Sequence, residues 1–302
     1  MAFLFKRSEQ LPRGVERLLR TEIDAALQLL SQPSERPLDY RVHEVRKTLK
    51  RLRALLTLVK GSAPDATLDR LRQLLRTAAH SLAELRSSAA LAHAYGTLLE
   101  RHPNLLDAPV REAVRAALTK ASVDESAVEA ALKAAIDALS RARDAARVLM
   151  VSGKGWDSIE RGFKTTYARA RGDFRLAQRS RSVEHLHDFR THEKRHLYHL
   201  SLLEKVWPRL VRAECKELDE LGELLGDHHD LSLLLPELDR RGLTHLDLGA
   251  LERLIEERKS ELEKRIWFHG MRLFSESPKR RSERFAGYHA AVKLRPKKSK
   301  PR

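Results

Sequence analysis

The chain has 302 residues, of which 42% are hydrophobic, 33% are charged and only 5% are aromatic. This length and apolar content exclude wholesale disorder, because the chain can bury the cores of two ordinary domains. The net charge of +16 predicts an anionic partner such as a nucleic acid, an acidic membrane surface or a polymeric phosphate.

Apolar residues recur at helical spacing in the first half of the chain, whereas strand-like alternation is absent, so we predict an all-α fold. Helices are expected at about residues 13–31, 40–60, 66–101, 109–119 and 123–149. Residues 151–155 (VSGKG) are rich in glycine and predict the boundary between two domains.

The second half shows the same helical plan, with helices expected at about residues 157–180, 183–205, 209–225, 227–241 and 246–270. Gly226 followed by Asp227 is interpreted as a helix stop and the N-cap of the next helix. The predicted organisation is a first helical bundle at residues 10–150, a second at 156–290, and a basic mobile tail at 291–302.

The two halves share a basic helical pattern at an offset of 144 residues, since residues 41–53 (RVHEVRKTLKRLR) return in altered form as residues 185–197 (HLHDFRTHEKRHL). Residues 15–21 (VERLLRT) match residues 159–165 (IERGFKT) at the same offset. The cationic positions are best retained, with His43, Arg46 and Lys50 corresponding to His187, Arg190 and Lys194. Offsets of 0, 3 and 7 place three side chains on one helix face, so the pattern predicts a duplicated ladder of positive charge.

A solvated basic face is the simplest interpretation of one such helix, but its duplication favours anion binding. Guanidinium and ammonium groups spaced along an axis suit a chain of phosphates, and Tyr198 is the only ring on this face for base stacking. The predicted phosphate-binding residues are His43, Arg46, Lys47, Lys50, Arg51, Arg53, His187, Arg190, Lys194 and Arg195. Secondary candidates are Arg17, Arg20, Arg161, Lys164, Tyr198 and His229. Because cations disfavour a protonated imidazole until an anion binds, affinity should rise as pH falls from about 8 to 6.

The segments VHEVRKTLKRLRALLTL and LHDFRTHEKRHLYHLSLLEKVWP, followed by LDELGELLGDHHDLSLL, resemble the two halves of a CHAD domain, the conserved-histidine α-helical domain. The resemblance implies two four-helix bundles related by a pseudo-twofold axis, with basic helices lining a central cavity that binds inorganic polyphosphate. It also implies association with polyphosphate or polyhydroxyalkanoate granules. The positions it carries over are His43, Arg46, Lys50, Arg51, Arg53, His187, Arg190 and Lys194.

Two short motifs suggest metal chemistry, and both matches are weak. Residues 192–196 (HEKRH) fit the HExxH zincin pattern, but they would place two cations beside the metal. Residues 227–230 (DHHD) match DHH phosphoesterases without the strands that carry that motif. We therefore predict a binding protein rather than an enzyme, with no cofactor or metal; a metal-dependent phosphohydrolase using these four residues remains an alternative.

The other alternative is a nucleic-acid-binding protein, which would use the ten Lys or Arg residues at 279–302 as its main contact. In the polyphosphate hypothesis, nucleic acid binds only non-specifically. Cys215 is the only cysteine, which excludes an intrachain disulfide and fits a reducing cytoplasm. No stretch approaches the ~20 apolar residues of a membrane span, so we expect a cytoplasmic protein that associates with granules.

Overall fold

The computed structural model describes residues 3–293, apart from residues 8, 32–35, 84, 86, 103–105, 120–124 and 244. Within these residues it contains eleven α-helices and no strand, which confirms the predicted all-α fold. The helices are α1 (Leu11–Ser31), α2 (Leu38–Leu58), α3 (Asp65–Ser81), α4 (Ser87–Arg101), α5 (Ala108–Thr119), α6 (Glu125–Arg147), α7 (Glu160–Ser180), α8 (Val183–Leu202), α9 (Pro208–Arg240), α10 (Gly249–Leu273) and α11 (Pro278–Lys293). No described helix combines the length and apolar content that a membrane crossing requires.

The helices pack by burying the apolar stripes that their periodicity predicts. In the first half, α1 packs against α2 and α6, and α3 packs against α2 and α6. In the second half, α8 packs between α7 and α9, while α10 packs on α9. On α2 the apolar face is fully buried and comprises Val42, Val45, Leu49, Leu52, Leu55 and Leu56. Because this side of α2 is buried, the basic face on the opposite side points away from the core.

The two halves of the chain meet where α2 packs against α7 and α8. Gly162 allows α7 to approach α2 closely, because a Cβ atom at this position would lie 2.0 Å from the carbonyl oxygen of Leu58. Nearby, the buried His199 donates from Nε2 to the carbonyl oxygen of Ala54 at 2.9 Å. Burial lowers the pKa of His199 to about 4, so the ring is a neutral donor that links α8 to the backbone of α2.

The segment predicted as a domain boundary is tied to the first half by hydrogen bonds. The backbone N–H and the hydroxyl of Ser152 both donate to the carbonyl oxygen of Ser62, at 2.7 and 2.9 Å. Gly153 and Gly155 adopt positive φ angles of 90° and 56°, which glycine tolerates because it has no Cβ. A 3₁₀-helix follows at Gly155–Ser158, in which Trp156 is buried. The domain boundaries themselves stay a prediction.

Three predictions about the helices are wrong. The helix predicted at 66–101 is two helices, α3 and α4, and the predicted break at Gly226 does not exist, because α9 runs through it for 33 residues. Gly226 lies inside the helix next to Arg190, so it allows a close approach instead of ending the helix. Asp227 consequently lies within α9 and is not an N-cap.

The third error is α11, a helix in a region for which none was predicted. The predicted tail at residues 291–302 begins inside this helix, and residues 294–302 lie outside the described part of the chain. Helix α11 is anchored by Phe285, which is fully buried, and by Arg281, which is only 3% exposed. Arg281 pairs with Glu214 on α9, donates to Nε2 of His196 at 2.9 Å, and lies over the ring of Tyr167. Part of the C-terminal basic charge is thus folded against the second half.

Candidate anion-binding site

An open cleft of about 810 Å³ separates the basic faces of α2 and α8, with α9 forming one side. We call it the basic cleft. Seven lysine or arginine side chains line it: Arg46, Lys47, Lys50, Arg51, Arg190, Lys194 and Lys216. The other lining residues are Phe3, Leu4, His43, Leu197, Tyr198, Ser201, Glu204, Cys215 and Asp219. Since only two of these carry carboxylates, the walls are strongly positive, and the cleft favours an anion of extended shape.

Two glycines on α9 make room for the cations of α8. A Cβ atom on Gly222 would lie 2.3 Å from Nζ of Lys194, and one on Gly226 would lie 3.3 Å from Nη2 of Arg190. The four-residue spacing of these glycines matches the four-residue spacing of the two cations, as expected for neighbouring helices packed along their length. Any larger residue at position 222 would displace the Lys194 ammonium from its place in the cleft wall.

Two hydrogen bonds and one longer ion pair hold three of the cations in place. Lys194 donates from Nζ to Oδ1 of Asp219 at 3.0 Å. Arg46 donates from Nη1 to the carbonyl oxygen of Ala79 at 3.3 Å, which adds no negative charge. Arg51 lies 4.0 Å from a carboxylate oxygen of Glu22. Because partners of this kind pre-order the side chains, less conformational entropy is lost when a ligand binds.

Glu193, which lies on α8 between Arg190 and Lys194, does not offset their charge. Its side chain is fully buried against Gly222, and neither carboxyl oxygen has a hydrogen-bond partner. Burial raises the pKa of Glu193 to about 8, although the charges of Lys194 and Arg190 act in the opposite direction. The carboxyl group is therefore mostly protonated at neutral pH, and the positive charge of the cleft is undiminished by it.

Replacing Glu193 with glutamine should flatten the dependence of stability on pH. A carboxyl group whose pKa is raised by folding stabilises the folded state less as pH rises from its unfolded pKa, about 4.3, toward its folded pKa, about 8. We expect urea denaturation at pH 5.5, 6.5, 7.5 and 8.5 to show wild-type stability falling over this range, and Glu193→Gln falling less. Equal slopes for the two proteins would show that Glu193 is ionised at neutral pH.

The structure brings together only some of the predicted site residues. Those in the basic cleft are His43, Arg46, Lys47, Lys50, Arg51, Arg190, Lys194 and Tyr198. Those that do not line it are Arg17, Arg20, Arg53, Arg161, Lys164, His187, Arg195 and His229. Arg17 instead pairs with Glu9, with Nε and Oε1 2.6 Å apart. Arg161 and Lys164 lie on α7 beside a separate cavity of about 680 Å³.

The rings of His187 and His229 lie next to each other between α8 and α9, with centroids 4.8 Å apart and planes tilted by 37°. The pKa of His229 is lowered to about 4 by burial, and further by His187 and Arg190. His229 is accordingly neutral near pH 7 and adds no charge to the ladder. His187 does not line the basic cleft, so its binding role stays a prediction.

Sequence reasoning missed the contribution of α9. Lys216 and Asp219 line the cleft, and Gly222 and Gly226 continue the same face of the helix. The signal is present in the sequence as residues spaced by three or four along one stripe. If Gly226 is interpreted as a helix end, the stripe is divided between two helices and is not recognised as one face.

The two metal-like motifs do not converge on a common point. His192 forms a 2.5 Å hydrogen bond from Nδ1 to Oδ2 of Asp173, whereas His196 accepts a hydrogen bond from Arg281. In the DHHD segment, His228 points toward Glu263 on α10, and His229 faces His187 on α8. Within the described residues, no three metal-ligating side chains form a group that could hold an ion.

Comparisons with known proteins identify the fold. Over nearly its whole length, the chain is similar to the crystal structure of the CHAD domain from the plant Ricinus communis, with a TM-score of 0.56 and 16% sequence identity; 98% of this chain and 96% of that chain are covered. No curated protein matches the chain. The CHAD domain family model matches residues 18–239, which span α2, α8 and most of α9 and so include the walls of the basic cleft. This match over more than half of the sequence shows that the chain belongs to the CHAD domain family.

Proposed function

We propose that this protein binds inorganic polyphosphate in the basic cleft and does not alter it chemically. The observation that carries the proposal is the convergence of cations from α2 and α8 on one cavity, together with Lys216 from α9. A phosphate chain laid along the cleft would meet arginines, which offer bidentate hydrogen bonds, and lysines, which act as point charges.

The aromatic rings of the cleft favour a ligand without bases. Phe3 is only 8% exposed and is covered by the guanidinium of Arg51, whose Cζ lies 5.7 Å from the ring centroid. Tyr198 is half-buried. Proteins that bind single-stranded nucleic acid use exposed rings on which bases stack, and neither ring offers such a surface. The family resemblance points to the same ligand and also to polyphosphate or polyhydroxyalkanoate granules in the cytoplasm, which are part of this proposal.

The alternative of nucleic-acid binding through the C-terminal residues loses much of its basis. Arg281 is buried in a pair with Glu214, and Arg284 donates to Oε2 of Glu276 at 2.8 Å. These guanidinium groups anchor α11 and are not available to a nucleic acid. Residues 294–302, which supply five of the ten basic residues of that region, lie outside the described part of the chain.

A competition titration tests the proposed function. Fluorescently labelled long-chain polyphosphate is bound to the full chain and then displaced by unlabelled polyphosphate, orthophosphate or single-stranded DNA at equal phosphate concentration. We expect polyphosphate to compete best, and a chain ending at residue 293 to bind almost as well as the full chain.

Three outcomes would contradict this proposal. DNA that competes as well as polyphosphate per phosphate would favour a general polyanion site. Loss of binding on truncation would assign the site to the C-terminal residues. Release of orthophosphate in the presence of a divalent metal would show that the protein is an enzyme.

A further inference from the structure

A pocket of about 420 Å³, distinct from the basic cleft, lies where four segments meet: the N-terminal residues 5–12, the turn at residues 153–155, the end of α8, and α11. We call it the junction pocket. It shares no lining residue with the basic cleft. Its volume falls within the range of pockets that hold small organic molecules. The junction pocket therefore has the size and the separate location of an independent ligand site.

Apolar side chains make up much of the wall of the junction pocket. They include Phe5, Leu11, Leu202, Leu203, Val206 and Val292. Val206 and Val292 are only half-buried, so part of this apolar surface remains exposed to water. Covering such surface is favourable in proportion to the apolar area removed from water. A ligand of this pocket should consequently carry an apolar portion.

Cations surround the same apolar wall. The basic residues that line the pocket are Lys6, Arg7, Lys154 and Lys205. The first three are exposed, and within the described residues no carboxylate lies at ion-pair distance from their side chains. Lys205 lies 3.7 Å from a carboxylate oxygen of Glu204. These cations favour an anionic group on the ligand.

The one carboxylate in the described wall of the junction pocket belongs to Glu9, and it is already paired. Glu9 accepts hydrogen bonds from Nε and Nη2 of Arg17, at 2.6 and 2.7 Å. Arg17 also donates from Nη2 to the carbonyl oxygen of Leu4 at 3.2 Å. Glu9 and Arg17 thus tie the N-terminal segment to α1, and the wall of the pocket stays net positive.

Contacts between distant segments hold the walls of the junction pocket together. The backbone N–H of Phe5 donates to the carbonyl oxygen of Leu202 at 3.0 Å, which joins the N-terminal segment to the end of α8. The ring of His289, which lines the pocket from α11, has its centroid 6.3 Å from that of the buried Trp156. Because the walls are ordered before a ligand arrives, less conformational entropy is lost on binding.

We propose that the junction pocket binds a small amphipathic anion, an aliphatic chain that ends in a carboxylate. The chain covers the apolar surface of Val206 and Val292, and the carboxylate is bound by the lysine and arginine side chains around it. Inorganic polyphosphate has no apolar part, so it is not the ligand of this pocket, and the inference does not depend on the proposed function.

Isothermal titration calorimetry with decanoate, kept below its micellar concentration, tests the proposal. Wild-type protein should bind one molecule per chain. Acetate has the carboxylate without the chain, and decyltrimethylammonium has the chain with a cationic head group, so each should bind more weakly by about tenfold or more. If either probe binds as tightly as decanoate, the pocket does not recognise an amphipathic anion and the proposal is overturned.

Two variants locate the bound decanoate. Val292→Glu places a carboxylate in the apolar wall and should raise the dissociation constant by about tenfold or more. Lys6→Gln/Lys154→Gln removes two exposed cations and should raise it by about threefold to tenfold. This second variant keeps the test valid if Val292→Glu does not fold by circular dichroism. Unchanged affinity in the folded pocket variants would overturn the proposal.

The matched control is Arg141→Gln/Arg147→Gln, which removes two exposed cations from α6, outside the junction pocket, and should bind decanoate as the wild-type protein does. Lys50→Gln/Arg190→Gln should also bind it normally, and loss of binding there would place decanoate in the basic cleft and overturn the proposal. A chain ending at residue 293 should bind decanoate as tightly as the full chain. Binding by the shortened chain alone would show that residues 294–302 are the occupant, which would likewise overturn it.

Discussion

Replacing Lys50 and Arg190 with glutamine is expected to raise the dissociation constant for long-chain polyphosphate by about two orders of magnitude or more. These residues belong to opposite walls of the basic cleft, one on α2 and one on α8. A hydrogen bond to a charged group contributes about 1.5–3 kcal/mol, so losing one from each wall accounts for a change of this size.

The salt dependence of binding gives an independent measure of the same contacts. Fluorescence anisotropy at 50, 100 and 200 mM salt should show a line of log K against log salt concentration for each protein. For nucleic acids, each phosphate contact contributes about 0.7–0.9 to this slope, and we expect the double variant to lose a comparable amount for each residue.

The α6 variant Arg141→Gln/Arg147→Gln serves as the matched control, because its exposed side chains lie 3.8 and 3.7 Å from their acidic partners. Such surface pairs contribute little to stability. Its affinity and slope should stay close to those of the wild-type protein. If the two double variants weaken binding equally, net charge governs the interaction and the basic cleft is not the site.

The sequence predicted the composition of one wall of the cleft well. Residues spaced by three and four on α2 must share a face, and the burial of Val42, Val45 and Leu49 fixes which way that face points. Arg46, Lys47, Lys50 and Arg51 accordingly line the cleft. This inference needed only the geometry of a single helix.

The hydrophobic periodicity of the sequence does not show where neighbouring helices cross. The predicted site residues that do not line the cleft follow from this. Arg46 and Arg53 are seven residues apart on the same side of α2, which corresponds to about 10 Å along its axis. Arg46 lines the basic cleft, whereas Arg53 does not. The position of each residue along the helix axis therefore decides whether it reaches the cleft, and which positions reach it depends on tertiary packing.

Gly226 and the arginine-rich residues 278–293 led to wrong helix predictions for a related reason. A glycine after an apolar run is typical of a helix end, yet Gly226 provides space for Arg190 within a continuous helix. Residues 278–293 are rich in arginine and show little apolar periodicity, so no helix was predicted there. Their helix is held by Phe285 and by the buried pair between Arg281 and Glu214, a long-range contact that local sequence does not reveal.

The contact between α2 and α7, where the two halves of the chain meet, should be the most sensitive to the addition of a single methyl group. In Gly162→Ala, the new Cβ would lie 2.0 Å from the carbonyl oxygen of Leu58 and 2.5 Å from that of Thr57. Backbone atoms of α2 cannot rotate away as a side chain would, so α7 must move. Overpacking of a core typically costs about 1–3 kcal/mol and occasionally more, and we expect a loss of about 3 kcal/mol in the free energy of unfolding.

Gly172 provides the control on the same helix, because it is exposed and a Cβ added there would have no neighbouring atom within 4 Å. Alanine there should stabilise the protein by about 0.5–1 kcal/mol through its higher helix propensity. Urea denaturation of both variants measures the difference. Since α2 carries one wall of the basic cleft, Gly162→Ala should also weaken polyphosphate binding, whereas Gly172→Ala should not. Equal stability of the two variants would mean that α2 and α7 can separate without cost, and that their contact does not hold the α2 wall of the basic cleft in place.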